Sequence, residues 1–509
     1  MQAPERTSRA RDTTVVTIGI DVGTTNLKLL AATPSGTVLH GVSRPMVVHR
    51  PEPGWADFDL DALDAGILDG LAEIVARLPA DASVASIAVD SIGESFVGVD
   101  ADGNVITSCP TWFDRRTGNA RADLGIDVER WYDVTGMADD DIATIHRLHW
   151  LLRRGLVDTT RVRTWLNVAD YCAYRLCGEA VAAPSLAARS GLFDRTTGSW
   201  SSAFVQAVGL REDQLPRPQP AATIAGGLLP DVARRVGLPA GTPVVNAGHD
   251  HPCAGVACKV VEPGSLMDST GTAEAIKTVV ARPLKYGETL QGRYDCYPHA
   301  VPGHFLLSGH LPSAGGFIAW LTRTLTGSED GRQQRRSDED LLAEALDSPP
   351  GARGVRVLPF LEGTGAPYNI RAQTAEIVGL RGFHRRADLL RAAYEGCAFW
   401  LEVNVETLSR IVGGRLGTII AVGGGARSDL WLQIKSALLR RPIEVPAVTE
   451  AAALGAALVG GIAVGAVENL GALPTLPSRT IAADSDLQAA YEAIAADYWR
   501  IHDERVGAL

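Results

Sequence analysis

The sequence has no apolar run long enough to cross a membrane, and its first dozen residues lack the apolar core of a signal peptide. One uncharged stretch, residues 451–467, spans 17 residues, but it is mostly alanine and glycine. A membrane span needs roughly 20 strongly apolar residues. We therefore expect a cytoplasmic protein with no membrane partner, a flexible tail over residues 1–13, and a buried, tightly packed helix within 451–467.

The sequence also lacks a basic patch and a disulfide framework. The formal net charge is −11 and the pI is about 5.5, which argues against a nucleic-acid partner. The seven cysteines are scattered and odd in number, which favours reduced thiols in a cytoplasm. The pairs Cys172/Cys177 and Cys253/Cys258 share a C-x4-C spacing that can be read as zinc half-sites. Structural zinc sites usually use tighter spacings, so we expect buried apolar cysteines instead.

Neither a Walker P-loop nor a G-x-G-x-x-G motif occurs, so any nucleotide site must be of another kind. Two other stretches, residues 21–28 and residues 268–274, each place a Gly-Thr pair where a strand turns back on itself. Glycine lets the backbone approach a ligand closely, and threonine adds a hydroxyl beside exposed N–H groups. Either turn alone could be an ordinary hairpin. Together, in two similar halves, they predict two loops that close on one chain of phosphates.

The length of 509 residues exceeds what one hydrophobic core usually supports. Strands followed by helices recur in both halves, which predicts an α/β class with two large domains. Residues 485–488 resemble a capping box that opens a last helix. We predict an N-terminal domain over 14–258, a C-terminal domain over 259–475, and a C-terminal helix within 476–509 that packs on the body.

Several ordered motifs resemble the FGGY family of carbohydrate kinases, within the actin-like ATPase superfamily. Residues 375–380 (AEIVGL), then seven residues, then 388–395 (DLLRAAYE) fit the C-terminal signature of that family. Around residues 144–150 the N-terminal signature is matched less well, with Arg147 in place of the usual lysine. The resemblance covers about residues 15–475. It implies two actin-like (ribonuclease H-like) α/β domains with a central cleft.

The resemblance also implies the nucleotide site, with ATP and Mg²⁺ as cofactors. Asp21 corresponds to the carboxylate that holds Mg²⁺, usually through water, which suits a hard ion that keeps much of its hydration. Lys28 would neutralise phosphate charge, or be a solvated surface lysine. The remaining residues of this site are the first phosphate loop (Gly23, Thr24, Thr25), the second (Ser269, Thr270, Gly271, Thr272), and an adenosine loop (Gly423, Gly424, Gly425, Ser428).

Asp250 corresponds to the catalytic base of the family, in the pattern G-x-D after a strand. It would accept the proton of the attacking hydroxyl; capping of the next helix is the alternative role. His249 and His251 flank it, and alternation along a strand would place both on the opposite face. That disfavours a His-Asp-His metal site. We expect one of them, His249, to contact sugar hydroxyls, with core packing as the alternative.

The acceptor pocket is predicted from residues 55 and 90–116. Glu94 matches a carboxylate that glycerol kinases use for hydroxyls, although Gly93 replaces their arginine. Asp114 and Arg116 resemble the W-x-D-x-R of pentulose kinases, and carboxylates suit polyols because each accepts hydroxyl hydrogen bonds with definite geometry. A salt bridge between Asp114 and Arg116 is the alternative. Trp55 would either line the pocket or pack in the core.

These features together predict an ATP- and Mg²⁺-dependent kinase acting on a primary hydroxyl of a small sugar or polyol, most readily a ketose such as a pentulose. Two alternatives from other classes are a chaperone-like ATPase, which needs no sugar, and a catalytically silent sugar sensor. The resemblance also makes a homodimer an expectation.

Overall fold

The computed structural model describes residues 13–326 and 344–508 and is built around two mixed sheets. The tail predicted over residues 1–13 lies outside the described residues, except for residue 13. The strands of the first sheet are β1 (Thr14–Val22), β2 (Asn26–Ala32), β3 (Val38–Pro45), β4 (Ala82–Ser91), β5 (Ile224–Gly227) and β6 (Pro243–His249). Those of the second are β7 (Leu266–Thr270), β8 (Glu274–Val280), β9 (Asp295–Pro298), β10 (Phe305–Leu311), β11 (Ile419–Val422), β12 (Ile443–Pro446) and β13 (Ser478–Ile481).

The two sheets repeat one pattern. In the first, β1, β2 and β3 form an antiparallel meander, while β4 and β6 run parallel to β1 on its other side. In the second, β7, β8 and β10 form the meander, and β11 and β12 run parallel to β7. The antiparallel strands β5 and β13 each pair with the last parallel strand at the edge of their sheet. This repeat confirms the predicted pair of α/β units.

Helices cover these sheets, and each begins and ends at identifiable residues. The longer ones are α1 (Leu60–Arg77), α2 (Thr144–Arg153), α3 (Val168–Cys177), α4 (Asp250–Ala257), α5 (Ala314–Thr326), α6 (Arg386–Val412), α7 (Asp429–Leu439), α8 (Ala451–Ala463) and α9 (Ser485–Arg505). Helix α6 begins where the Asp388 carboxylate accepts the Arg385 N–H at 2.9 Å. It ends at Gly413, whose φ of 69° is left-handed.

Helix α9 begins one residue earlier than the capping box predicts. The cap is Asp484, not Ser485, because the Asp484 carboxylate accepts the N–H groups of Asp486 and Leu487, both at 2.9 Å. The helix packs on α6, where the rings of Tyr498 and Phe399 stack with centroids 3.9 Å apart.

Helix α8, the alanine- and glycine-rich segment, lies against the first sheet and α4. A Cβ atom on Gly19 would collide with the Ala453 carbonyl, and one on Gly455 with the Cys253 carbonyl. Glycine therefore permits a backbone approach that any side chain would prevent. In the part of the chain that the structure describes, no helix is long and apolar enough to span a membrane.

The cysteines are packed as small apolar residues. All seven are free and buried, including both C-x4-C pairs. Within residues 13–326 and 344–508, no cluster of three or more histidine, cysteine or acidic residues has the arrangement of a metal site. The described residues thus give no support to zinc binding at these pairs.

Candidate active site

Three aspartates lie at the carboxyl ends of neighbouring strands in the first sheet. Asp21 at the end of β1 is the register partner of Asp90 in the parallel strand β4. Gly248 in β6 is the partner of Asp90 on the other side, and Asp250 follows as the first residue of α4. Ligands of open α/β sheets bind at such strand ends. The sequence placed Asp90 only within the predicted acceptor stretch 90–116, although an aspartate after the apolar run 87–89 was a usable signal for a site beside Asp21.

Burial changes the ionisation of this group. It raises the pKa of Asp21 to about 6, partly opposed by Lys28. Burial, and then the charges of Asp21 and Asp250, raise the pKa of Asp90 well above its ordinary value. Among the described residues, no well-aligned donor reaches Asp21 Oδ1 or either carboxylate oxygen of Asp90, and the polar groups that interact with Asp90 are the Asp21 carboxyl and the Cys253 thiol. Buried carboxylate oxygens that lack a well-aligned donor are suited to a hydrated hard cation.

Asp250 is the first residue of α4, and its carboxylate bonds the backbone of the next residue. Its Oδ1 accepts the N–H of His251 at 2.5 Å, and the cap of the helix is His249, whose Nδ1 accepts the same N–H at 3.3 Å. Burial, followed by the charge of Asp21, raises its pKa to about 7, while the Lys277 ammonium acts in the opposite direction. A carboxylate with a pKa near neutrality is a competent proton acceptor at physiological pH.

The two flanking histidines lie beside Asp250, and the predicted opposite-face placement is wrong. Strand β6 ends at His249 and a helix begins at Asp250, so strand alternation no longer applies. His249 Nδ1 is 3.1 Å from Asp250 Oδ1, and the His249 and His251 rings stack at 5.4 Å. Burial lowers the pKa of both histidines well below the ordinary value. Both are therefore neutral and can exchange hydrogen bonds with hydroxyls.

The first Gly-Thr turn is a tight connection between β1 and β2. The Gly23 N–H donates to the Asn26 carbonyl at 3.0 Å, Thr25 is exposed, and the Thr24 hydroxyl accepts the Trp112 indole N–H at 2.9 Å. Lys28 forms an ion pair with Glu450, 2.6 Å away and just before α8. Its charge is thus already matched by a carboxylate from the other half.

The second Gly-Thr turn joins β7 to β8. A buried network of charged and hydroxyl groups packs against the protein-facing side of this turn. Lys435 of α7 lies 2.7 Å from Asp268, 2.8 Å from Glu274 and 2.9 Å from the Thr270 hydroxyl. That hydroxyl also donates to Asp268 at 3.2 Å, so it points inward. Gly271 and Thr272 are exposed and Ser269 is half-buried. Sequence reasoning missed Lys435, which nothing local to the turn indicates.

The glycine run 423–425 lies directly on this second turn. Gly423 has a φ of 87°, and a Cβ there would lie 2.5 Å from the Thr270 carbonyl oxygen. A Cβ on Gly425 would lie equally close, 2.5 Å, to the Thr270 methyl group. Ser428 caps α7 by accepting the Trp431 N–H at 3.3 Å. The structure therefore brings the predicted adenosine loop and second phosphate loop into contact.

The predicted acceptor residues divide into two groups. Glu94 lies near the base, in an ion pair with Arg189 that sequence reasoning did not anticipate. Asp114 and Arg116 instead bind each other at 2.8 Å, and the Arg116 guanidinium lies 4.2 Å from the Trp55 ring centroid. Their side chains are at most 2% exposed. This arrangement matches the alternative of a structural salt bridge for Asp114 and Arg116, whereas Trp55 is only partly buried, between Arg116 and Trp150.

A buried lysine from the second sheet completes the charge pattern of the cleft. Lys277 of β8 is 1% exposed, and its ammonium has no hydrogen-bond partner among the described residues. Burial lowers its pKa to about 7, with Asp250 acting in the opposite direction. A lone lysine in the apolar run 275–280 was the sequence signal that could have identified it.

Comparison with known proteins agrees with this geometry. Residues 16–257 match the model of the N-terminal domain of the FGGY family of carbohydrate kinases, and residues 266–464 match its C-terminal domain. The chain is 24% identical to a gluconokinase of Bacillus licheniformis, over 89% of this chain and 88% of that protein. It is 28% identical to an L-fuculokinase of Escherichia coli (strain K12), over 88% of this chain and 93% of that protein.

A solved structure shares the fold. It is the ligand-bound xylulose kinase of Lactobacillus acidophilus, with a TM-score of 0.86 at 23% identity over 96% of this chain and 98% of that one. Both domain models together account for most of the chain and include both Gly-Thr turns and Asp250. The chain therefore belongs to the FGGY family of carbohydrate kinases and is an ATP-dependent sugar kinase.

Proposed function

We propose that this kinase transfers the γ-phosphoryl group of ATP to a primary hydroxyl of a small sugar or polyol, with Asp250 as the general base. The observation that carries this assignment is the position of the Asp250 carboxylate, directly after the strand that pairs with Asp90 and within electrostatic reach of Asp21 and Lys277, where burial raises its pKa to about 7. This carboxylate would accept the hydroxyl proton as the oxygen bonds to the γ-phosphorus and the bond to ADP breaks. Phosphoryl transfer needs mainly such positioning and charge neutralisation.

The two Gly-Thr turns are proposed to bind the ATP phosphates from opposite sides. Gly23, Thr24 and Thr25 belong to the first half, and Ser269, Gly271 and Thr272 to the second. Thr270 would contribute only through its backbone, because its inward-facing hydroxyl already bonds Asp268 and Lys435. Adenosine would lie against Gly423–Gly425, and the Ser428 hydroxyl is engaged as a helix cap.

Mg²⁺ is proposed to be held by Asp21, through water, near Asp90. Asp21 Oδ1 and the two Asp90 oxygens, which no well-aligned donor reaches among the described residues, fit a hydrated hard cation. When bound, the ion would offset the charge of the phosphate oxygens. Asp21 would orient the hydration shell, and Lys28 would act at longer range because Glu450 already pairs with it.

The acceptor would contact Glu94 and His249, which adjoin the base. The prediction of a pentulose acceptor depended on Asp114 and Arg116. Because these two residues form a salt bridge with each other, they no longer support that prediction. The relatives, a gluconokinase, an L-fuculokinase and a xylulose kinase, keep ketoses and sugar acids among the candidate acceptors. The homodimer and the cytoplasmic location stay predictions.

The test is ADP release, measured with a coupled assay over xylulose, gluconate, L-fuculose and glycerol. Asp250→Asn should lower kcat by roughly 10²- to 10⁴-fold while sparing ATP binding, because it removes the proton acceptor without changing shape. Asp102→Asn, in an exposed turn, is the matched control.

Two outcomes would contradict the proposal. ADP release that is independent of every sugar would favour the chaperone-like ATPase. Sugar binding without any turnover in the wild type, unchanged in Asp250→Asn, would favour the silent sensor.

A further inference from the structure

A buried ion-pair cluster joins the two halves beside the proposed base. Arg189, in the turn over residues 188–190, lies 2.5 Å from Glu94 Oε1 and 2.9 Å from Asp295 Oδ2. Each of these side chains is less than a tenth exposed. Asp295 belongs to β9 of the second sheet, whereas Glu94 follows β4 of the first. The Arg189 guanidinium also lies 5.1 Å from the centroid of the Tyr297 ring.

The local backbone is shaped around Arg189. A Cβ on Gly93 would lie 3.1 Å from both Arg189 Cγ and the His249 ring, so a side chain at position 93 would displace one of them. Glu94 has a φ of 63°, a left-handed conformation that is rare for a residue with a side chain. Its carbonyl accepts a hydrogen bond from the buried Arg147 at 2.9 Å. Strained backbone held by its surroundings is typical of functional sites.

Arg189 retains hydrogen-bonding capacity after these contacts. A guanidinium has five N–H donors in a fixed fork. The Nε and Nη2 groups each use one N–H on Glu94 Oε1, and Nη1 uses one on Asp295. Among the contacts of the described residues, one donor on Nη1 and one on Nη2 are left. The second carboxylate oxygen of Glu94 likewise has no hydrogen bond there.

We propose that Arg189 is the specificity-determining residue of the acceptor site. With Glu94 it forms a donor–acceptor pair that binds two neighbouring hydroxyls of the sugar. The guanidinium donates to one hydroxyl oxygen while the carboxylate accepts from the next hydroxyl. Such a pair selects the configuration of adjacent hydroxyls, because an inverted hydroxyl leaves a buried donor or acceptor unpaired. This inference rests on the proposed function, and it requires an acceptor with two adjacent hydroxyls of defined configuration.

Asp295 is proposed as a positioning residue. Its Oδ1 accepts the Ala138 N–H at 2.8 Å, while Oδ2 holds Arg189. The pair formed by Arg189 and Glu94 is therefore held in place by a carboxylate from the second sheet. Loss of that carboxylate should weaken acceptor binding although it does not contact the sugar.

The test compares kcat/KM within pairs of acceptors that differ at one hydroxyl: xylulose against ribulose, and gluconate against galactonate. The wild type should prefer one member of a pair by about 10-fold or more. In Arg189→Met that ratio should approach 1, and the acceptor KM should rise by about 10- to 100-fold with the ATP KM unchanged. Arg189→Lys should recover part of the loss, and Asp295→Asn should raise the acceptor KM by a smaller factor.

Arg195 provides the matched control. It is also a buried arginine that joins the halves, bonding the carbonyls of Cys296 and Leu284, but it bonds no cleft side chain. Arg195→Lys should lower the melting temperature and leave the acceptor ratio unchanged. An unchanged ratio in Arg189→Met, or a wild-type ratio near 1 for every pair, would overturn the inference while sugar-dependent ADP release still upheld the proposed function. Absence of sugar-dependent ADP release in the wild type would reject both.

Discussion

At the residue scale, the chemistry of the cleft depends on two groups of opposite charge that come from different sheets. Asp250 begins α4 beside the first sheet, and Lys277 lies in β8 of the second. Burial raises the pKa of the carboxyl and lowers that of the ammonium, so both are about 7. Each charge favours the ionised form of the other. Lys277 thus keeps the proposed base ionised at a lower pH than burial alone would allow.

Lys277→Met should move the acid limb of the pH profile of kcat/KM to higher pH. The base must be deprotonated to act, so activity falls as the pH drops through the pKa of Asp250. Removing the nearby ammonium raises that pKa further, and the activity is then lost at a higher pH than in the wild type. The exposed Lys285 is the control, since Lys285→Met removes an equal charge outside the cleft. An acid limb at the wild-type position in Lys277→Met would contradict this account.

At the element scale, the second phosphate loop and the proposed adenosine loop form one unit. Helix α7 contributes Lys435, whose ammonium lies between Asp268 and Glu274, and also 4.5 Å from the centroid of the Trp431 ring. Burial raises the pKa of Glu274, and the Lys435 ammonium acts in the opposite direction. The buried Lys435 network therefore holds together the ends of β7 and β8, the glycine run 423–425 and α7.

Lys435→Met should lower the free energy of unfolding by about 3–5 kcal/mol, because it leaves buried carboxyls without their cation. It should also raise the KM for ATP more than that for the acceptor, since the network supports the loop and not the acceptor pocket. Chemical denaturation and two-substrate kinetics measure these effects.

Glu274→Gln is the control for this prediction. It keeps the shape of the side chain and leaves Lys435 paired with Asp268 at 2.7 Å, so it should cost much less stability. Equal losses in the two variants would show that packing, and not charge, dominates the network.

At the scale of the whole molecule, contacts from both halves define the cleft. Ion pairs join Lys28 to Glu450 at 2.6 Å, Arg371 to Asp141 at 2.9 Å and Arg189 to Asp295 at 2.9 Å. Helix α8 packs on β1 and on α4, although it belongs to the segment predicted as the C-terminal domain. We propose that the two domains divide along the chain at residues 258–259. In space, α8 comes after this division in sequence but packs against the first domain.

Gly455→Ala should displace α8 from α4, because its new Cβ would collide with the Cys253 backbone. Overpacking of this kind costs roughly 1–3 kcal/mol of unfolding free energy. Since α4 begins with Asp250, kcat should fall as well. Gly382→Ala is the control, because a Cβ there meets no atom within 4 Å. Wild-type stability and kcat in Gly455→Ala would contradict the proposed role of this contact.

Much of the fold was accessible from local patterns. The Gly-Thr turns, the helix within residues 451–467 and the last helix opened near residue 485 are signals within one segment, and each lies within one residue of its prediction. The predicted placement of His249 and His251 failed because a strand ended at the point where alternation was assumed to continue. The alternative roles of Asp114 and Arg116 could not be separated, because a carboxylate beside an arginine fits a sugar site and a salt bridge equally.

The sequence alone determined the elements, the family and the position of the proposed base, since each depends on residues close together along the chain. Only the tertiary structure decided which charges meet. Lys435 and Asp268 are 167 positions apart, and Arg189 and Asp295 are 106 apart. Ion pairing and pKa depend on distance in space and on loss of water, and neither is written in local sequence.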